Sequence, residues 1–192
     1  MFLANGNEAP RVKREPAKQV AKIWTVGHST RSATDFNELL KAHGIAALVD
    51  VRSFPGSRRY PHFNRQELSS SLAAAGILYL HNPKLGGRRK PSPISKNTAW
   101  QNASFRAYAD HMDSEEFNEG IEELLELARK EATAIMCAEA LWWRCHRSLI
   151  ADFLKASGVE VIHILDAKKT ETHPYTAAAR IVEGRLSYEG LF

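Results

Sequence analysis

The sequence predicts an α/β fold: a three-layer sandwich whose mostly parallel, five-stranded, Rossmann-like sheet is covered by helices on both faces. Two observations support this prediction. Short apolar segments rich in β-branched residues alternate along the chain with longer segments of helical periodicity. The apolar segments are also nearly continuous, as in residues 45–51, rather than alternating with polar residues. Continuous apolar strands are typical of parallel sheets that are buried on both faces.

The five strands are predicted where β-branched and aromatic residues cluster between turn-forming residues. In chain order they occupy residues 23–27, 45–51, 77–80, 132–137 and 159–165. Because parallel strands bind ligands beyond their carboxyl ends, we expect a functional site at that edge of the sheet.

The helices are predicted from apolar residues at helical spacing, from capping residues before them and from glycines after them. The first ends at Gly44, and the others cover residues 67–75, 99–112, 114–130 and 148–156. A long irregular segment at residues 81–98 precedes the third helix, and a small hairpin is predicted at residues 180–182 and 186–188.

The domain organisation is predicted to be simple. Residues 1–19 lack apolar periodicity and indicate a flexible leader, and residues 20–192 indicate a single α/β domain. No segment has the length and apolarity of a membrane span or of a secretory signal, so we expect a cytoplasmic protein without a membrane partner. In that setting Cys137 and Cys145 are expected to be reduced thiols rather than a structural disulfide.

The net charge of +4 is mild, but the charges are unevenly distributed. Basic residues dominate residues 52–106, and acidic residues dominate residues 110–139. The basic segment favours an anionic partner such as a small molecule or a nucleotide. The alternative is that the two segments pair with each other or are simply solvated.

Reactive side chains follow several of the predicted strands, and we expect them to converge. His28 and Ser29 follow the first strand, Asp50 and Arg52 end the second, and Glu139 follows the fourth. The chain then continues with Cys145, His146 and Arg147 at the predicted start of a helix. The positive end of a helix and neighbouring cationic side chains lower the pKa of a cysteine, which favours Cys145 as a nucleophile.

Several motifs occur in an order that resembles the DUF488 family of small α/β proteins of unknown function. These are T-V-G-H-S-T, L-V-D-V-R-S-F-P-G-S-R, F-N-R-Q-E-L, G-I-L-Y-L with L-G-G after it, M-C-A-E with C-H-R, and V-I-H-I. The family pattern usually has a proline between the glutamate and C-H-R, where this chain has Trp142 and Trp143. The resemblance implies the fold and the position of the site, but it does not indicate which reaction is catalysed or which cofactor is used.

Three functions are compatible with these residues. The first is an enzyme acting on a phosphate-bearing or other anionic substrate. In it Arg52, Arg58 and Arg147 bind the anion, with Ser29 and Asp50 at the binding site. Its catalytic residues would be Cys145, His28, Glu139 and His146.

The second function is a nucleic-acid binding module that uses the basic segment of residues 52–96 and its aromatic side chains. The third is a metal-dependent enzyme with histidine, cysteine and carboxylate ligands, although no compact metal-binding motif is present. The sequence does not indicate an oligomeric state.

Overall fold

The fold is described by a computed structural model that covers residues 22–190, so the predicted leader at residues 1–19 lies outside the described range. One sheet has the strand order β3-β2-β4-β1-β5-β6. Its strands are β1 (Lys22–Gly27), β2 (Ala47–Asp50), β3 (Leu78–His81), β4 (Thr133–Cys137), β5 (Glu160–Ile164) and β6 (Thr170–Thr172). The first five strands are parallel, and β6 pairs antiparallel with β5.

The predicted α/β architecture with a mostly parallel sheet is confirmed, with one correction to the number of strands. The sheet has six strands rather than five, because β6 extends it at one edge. This strand reads Thr-Glu-Thr and is largely exposed. An edge strand that faces solvent needs no apolar residues, so its sequence carries no signal of a buried strand.

Five helices cover the sheet: α1 (Ala33–Ala42), α2 (Arg65–Ala74), α3 (Ala103–His111), α4 (Glu115–Ala128) and α5 (Arg147–Ala156). On one face, α1 and α2 pack against the sheet through residues such as Phe36, which shares a core cluster with Met136. On the other face, Phe117 of α4 and Leu149 of α5 share a second cluster with Ile135. Within residues 22–190, no helix is long and apolar enough to cross a membrane.

The ends of the elements differ from the predictions by a few residues. Helix α3 begins at Ala103 rather than near Ala99, because the Asn102 side chain accepts hydrogen bonds from the backbone of the first turn. The hairpin is formed by β7 (Arg180–Val182) and β8 (Arg185–Ser187), and Gly184 in its turn has a φ of +77°. Glycine adopts this left-handed conformation at little cost, which suits a tight hairpin turn.

The order of the strands opens a crevice at the carboxyl edge of the sheet. From β1 and β2 the chain continues to α1 and α2 on one face, whereas from β4 it continues to α5 on the other. Strand β4 lies between β2 and β1. The loop after β4 therefore diverges from both neighbouring loops, and this is the place where α/β sheets bind ligands.

Candidate active site

A cavity of about 880 Å³ occupies this crevice. Side chains that follow three adjacent strands and precede α5 line it: His28, Ser29, Arg52, Cys137, Glu139, Cys145 and His146. The sequence predicted that residues as distant as Ser29, Arg52 and Cys145 would meet, and they do line one cavity. A smaller cavity of about 280 Å³ lies beneath the β7–β8 hairpin and contains none of these residues.

Two thiols and one imidazole lie close together in the cavity. The Sγ of Cys145 lies 3.5 Å from Nδ1 of His146, and the Sγ of Cys137 lies 4.0 Å from the same nitrogen. Both cysteines are buried and neither forms a disulfide. The three donor atoms lie within 4.8 Å of one another. Cys137 ends a buried strand, so its position is fixed by the sheet.

The tautomer of His146 follows from its other ring nitrogen. Nε2 lies 3.0 Å from the carbonyl oxygen of Val51, and a carbonyl can only accept a hydrogen bond. Nε2 therefore carries the proton, and in the neutral ring Nδ1 presents its lone pair to the two thiols. Gly87 packs directly against the imidazole, because a Cβ added there would lie 2.5 Å from Nδ1. The second glycine of L-G-G thus leaves room for the ring.

The environment distinguishes the two thiols. Burial opposes ionisation of Cys145, but the Cys137 thiol together with the charge and backbone N–H of Arg147 lowers the pKa of Cys145 to about 6. The neighbouring Cys145 sulfur and burial raise the pKa of Cys137. Of the two thiols, Cys145 is therefore the one whose ionisation is favoured near neutral pH.

Arg147 is buried and does not line the cavity, contrary to what an anion-binding role requires. Its terminal nitrogens donate to Thr25 Oγ1 and to the carbonyl oxygens of Glu139 and Ala140. These acceptors are neutral, and its Nε has no hydrogen-bond partner among residues 22–190. A buried cation needs a compensating anion. The Cys145 thiolate, whose pKa the guanidinium lowers, can supply that charge.

A buried chain of hydrogen bonds continues from Arg147 to the C-terminal part of the domain. It joins Thr25, His163, His173 and Asp152 in turn, over distances of 2.7, 2.9 and 3.0 Å. The Asp152 carboxylate can only accept, so His173 donates to it. The hydrogen bonds can then all run in one direction, from Thr25 to His163 to His173 to Asp152, with both rings neutral. Burial lowers the pKa of His163 to about 2, which agrees with a neutral ring.

This chain was not predicted from the sequence. The signal available was a polar residue inside an apolar run: Asp152 in the S-L-I-A-D-F-L stretch and His163 in V-I-H-I. Both side chains point inwards and are buried. Asp152 also accepts from the Thr176 backbone and hydroxyl and from the Tyr188 hydroxyl. The network therefore anchors the C-terminal segment to the core beside the site.

His28, Arg52 and Asp50 form a second buried network at the opposite wall. Arg52 binds Asp50 through two of its nitrogens and lies 3.4 Å from His28 Nε2 through a third. His28 Nδ1 donates to the carbonyl of Ser29, so the ring is neutral and orients the guanidinium. Burial and the charge of Arg52 lower the pKa of His28 to about 4. Tyr79 donates to the same carboxylate.

This arrangement affects the predicted roles of the wall residues. Asp50 is fully buried behind Arg52 and does not line the cavity. Both ring nitrogens of His28 have hydrogen-bond partners. The contacts of the ring therefore fit a role in orienting Arg52 better than the predicted role of an acid or base. Ser29 has a φ of 53°, a conformation that is uncommon for residues other than glycine and that often marks a functional loop.

Three exposed arginines complete the cavity lining: Arg59, Arg88 and Arg144. The predicted Arg58 does not line the cavity, although its neighbour Arg59 does. Glu139 lines it and is exposed, with one carboxylate oxygen 3.4 Å from the backbone nitrogen of Leu141. Within the described residues no salt bridge involves the three arginines, so their charge is available to an anion.

Two residues of the basic segment pair with the acidic helix α4. Lys84 contacts Glu119 and Glu123 at 2.9 and 2.7 Å, and Arg89 contacts Glu116 at 3.0 Å. Part of the charge asymmetry in the sequence is thus used within the fold, as one of the two sequence hypotheses proposed. Arg59 and Arg88, in the same segment, line the cavity and form no ion pair among the described residues.

The fold and site together define a class of protein: an α/β protein with a cysteine, histidine and arginine cavity at the carboxyl edge of its sheet. The family model described as domain of unknown function DUF488 matches residues 32–154, well over half of the chain. The chain belongs to the DUF488 family. The matched range includes the thiols, His146 and Arg147, whereas His28 and Ser29 precede it. No curated protein and no solved structure was found to match.

Proposed function

We propose that the protein is an enzyme in which Cys145 attacks an anionic substrate that the cavity arginines bind. The observation that carries the proposal is the position of Cys145, which lines the arginine-rich cavity and whose Sγ lies 3.5 Å from Nδ1 of His146. A nucleophile within reach of a base that a third group orients is the arrangement of nucleophilic catalysis. Here the third group is the carbonyl of Val51.

The roles of the residues follow from their contacts. Arg147 stabilises the thiolate from behind, and the N-terminal end of α5 adds its positive dipole. His146 exchanges protons with groups that enter or leave at the sulfur. Arg59, Arg88 and Arg144 hold the anion, and Arg52 presents one further N–H from its fixed position. Glu139 lines the same space and can act as an acid or base there.

Two alkylating reagents that differ in charge test the proposal. Iodoacetate and iodoacetamide attack thiolates by the same chemistry, but only iodoacetate is an anion. We expect both reagents to modify Cys145 near pH 7. The rate with iodoacetate divided by the rate with iodoacetamide should be about tenfold higher for Cys145 than for a free thiol, because the cavity arginines attract the anion. Mass spectrometry of the intact protein and its peptides measures both rates.

Arginine variants provide the matched comparison. Replacing Arg59, Arg88 and Arg144 together by glutamine should return the rate ratio to that of a free thiol. Arg58→Gln is the control for Arg59→Gln alone: it removes one charge next to Arg59 but outside the cavity lining, and it should leave the ratio unchanged. An unmodified Cys145, or an unaltered ratio in the triple variant, would refute the proposal.

A second candidate function is a metal-dependent enzyme with Cys137, Cys145 and His146 as ligands. The donor atoms lie within 4.8 Å of one another. Two thiolates and an imidazole are the ligands that zinc prefers, and three protein ligands leave a fourth position for water or substrate. The hydrogen bond from His146 to Val51 is also the kind that orients ligating histidines. Stoichiometric zinc in the purified protein, with Cys145 protected from alkylation, would favour this candidate.

Nucleic-acid binding has less support from the contacts. Lys84 and Arg89 are engaged by α4, Phe63 is buried, and the Tyr79 hydroxyl is bound to Asp50. These residues were among those that would have contacted phosphates and bases. A passive binder would bind nucleic acid with a steep salt dependence that Cys145→Ser leaves unchanged.

A further inference from the structure

We propose that Cys137 is a resolving thiol, so that the cavity exchanges thiols with a disulfide carried by a small anionic molecule. The inference rests on the proposed function, because it requires Cys145 as the first nucleophile. It goes further by naming the substrate class and by giving the second cysteine a chemical task.

The arrangement of the two sulfurs supports this assignment. Both cysteines line the same cavity, and their Sγ atoms lie within 4.8 Å of each other. A disulfide requires a sulfur separation of about 2 Å, so rotation of the side chains has to close the remaining gap. Cys145 follows the short helical turn Trp142–Arg144 rather than lying within α5, so its side chain is not fixed within a helix. Cys137 is held by β4.

The proposed exchange consists of two successive nucleophilic attacks on sulfur. The Cys145 thiolate attacks one sulfur of a disulfide RS–SR′, forms a Cys145–SR bond and releases R′S⁻. Cys137 then loses its proton to Nδ1 of His146, 4.0 Å away, and attacks Cys145 Sγ. This attack forms the Cys137–Cys145 disulfide and releases RS⁻. The protein has lost two electrons to the substrate, and a small external dithiol, required as co-reductant, returns them.

The alternative chemistry explains why the second thiol matters. A hydrolytic enzyme with a covalent cysteine intermediate uses one sulfur, and water attacks the substrate carbon or phosphorus attached to it. A second thiol beside that sulfur is of no use in hydrolysis. In disulfide exchange the second thiol completes the reaction, because a mixed disulfide is released by a thiolate that attacks its sulfur.

The probe is dithiobis(nitrobenzoate), an anionic aromatic disulfide that releases a coloured thiolate. The full-length protein is reduced, freed of reductant and mixed with one equivalent of the probe near pH 7. We expect two coloured thiolates per probe molecule and a protein mass lower by two hydrogen atoms, with no adduct. We expect Cys137→Ser and Cys137→Ala to release one thiolate each and to retain a stable adduct on Cys145.

The outcomes separate the two proposals. One thiolate released by the unaltered protein, with a lasting adduct on Cys145, would overturn the resolving role and leave Cys145 as a nucleophile. No release at Cys145 would overturn both. Adducts on both cysteines with excess probe, without a disulfide, would show that the two thiols react independently and would also overturn the inference. Cys137→Ser and Cys137→Ala are both prepared, so that the comparison remains possible if one of the two variants fails to fold.

Discussion

Replacing Arg147 by methionine should raise the pKa of the Cys145 thiol and lower its reactivity at neutral pH. The guanidinium is 1% exposed, and its hydrogen-bond acceptors are neutral. The pKa of Cys145 is lowered from 9.0 to about 6, which corresponds to about 4 kcal/mol of preference for the thiolate. Arg147 contributes through its charge, whereas its backbone N–H is retained in the variant. We therefore expect the pKa of Cys145 in Arg147→Met to be about 8.

The consequence is a change in the pH dependence of alkylation. At pH 7 the thiolate fraction should fall from about nine tenths to about one tenth, so iodoacetamide should react roughly tenfold more slowly. Above about pH 10 both proteins are fully ionised, and their rates should agree. The limiting rate at high pH is thus the internal control for altered packing. Equal rates at pH 7 in the two folded proteins would refute the view that Arg147 stabilises the thiolate.

Three further predictions concern the structure around the thiolate. Gly87→Ala should lower the free energy of unfolding by about 1–3 kcal/mol in denaturant titrations, because the added Cβ would lie 2.5 Å from His146 Nδ1, whereas Gly56→Ala, where an added Cβ meets nothing within 4 Å, should not. Thr25→Val removes one of the three hydrogen-bond acceptors of the buried Arg147 guanidinium and should lower the free energy of unfolding by about 1–3 kcal/mol in denaturant titrations. The free energy of unfolding of the unaltered protein, minus that of Cys145→Ser, should increase between about pH 6 and pH 8.5. In this range the unfolded chain binds more protons at Cys145 than the folded protein does. A difference that is independent of pH would contradict the lowered pKa.

The sequence predicted the parts of the fold that depend on local pattern. Continuous apolar runs located the five parallel strands, and the rule that ligands bind at the carboxyl edge located the cavity. Capping residues such as Ser114 marked the start of α4 correctly, because its hydroxyl accepts from the backbone of the first turn. The strand β6 was missed, since an exposed three-residue edge strand has no apolar requirement.

Local sequence patterns did not predict which charged side chains point into the cavity and which point into the core. Arg147 and Arg58 were expected to bind the anion, but Arg147 turns inwards to Thr25, 122 residues earlier in the chain. Arg59 rather than Arg58 lines the cavity. Such choices depend on long-range packing, which local periodicity does not report. The same holds for the chain that joins His163 and His173 to Asp152.

The central claim is that a buried thiolate at Cys145 compensates the buried charge of Arg147. The ultraviolet absorbance of the thiolate, recorded against pH and corrected by the same titration of Cys145→Ser, measures it directly. The account predicts that one thiolate appears with a midpoint of about pH 6. If the difference spectrum stays flat until about pH 8.5, where an unperturbed cysteine ionises, the pair does not exist as described.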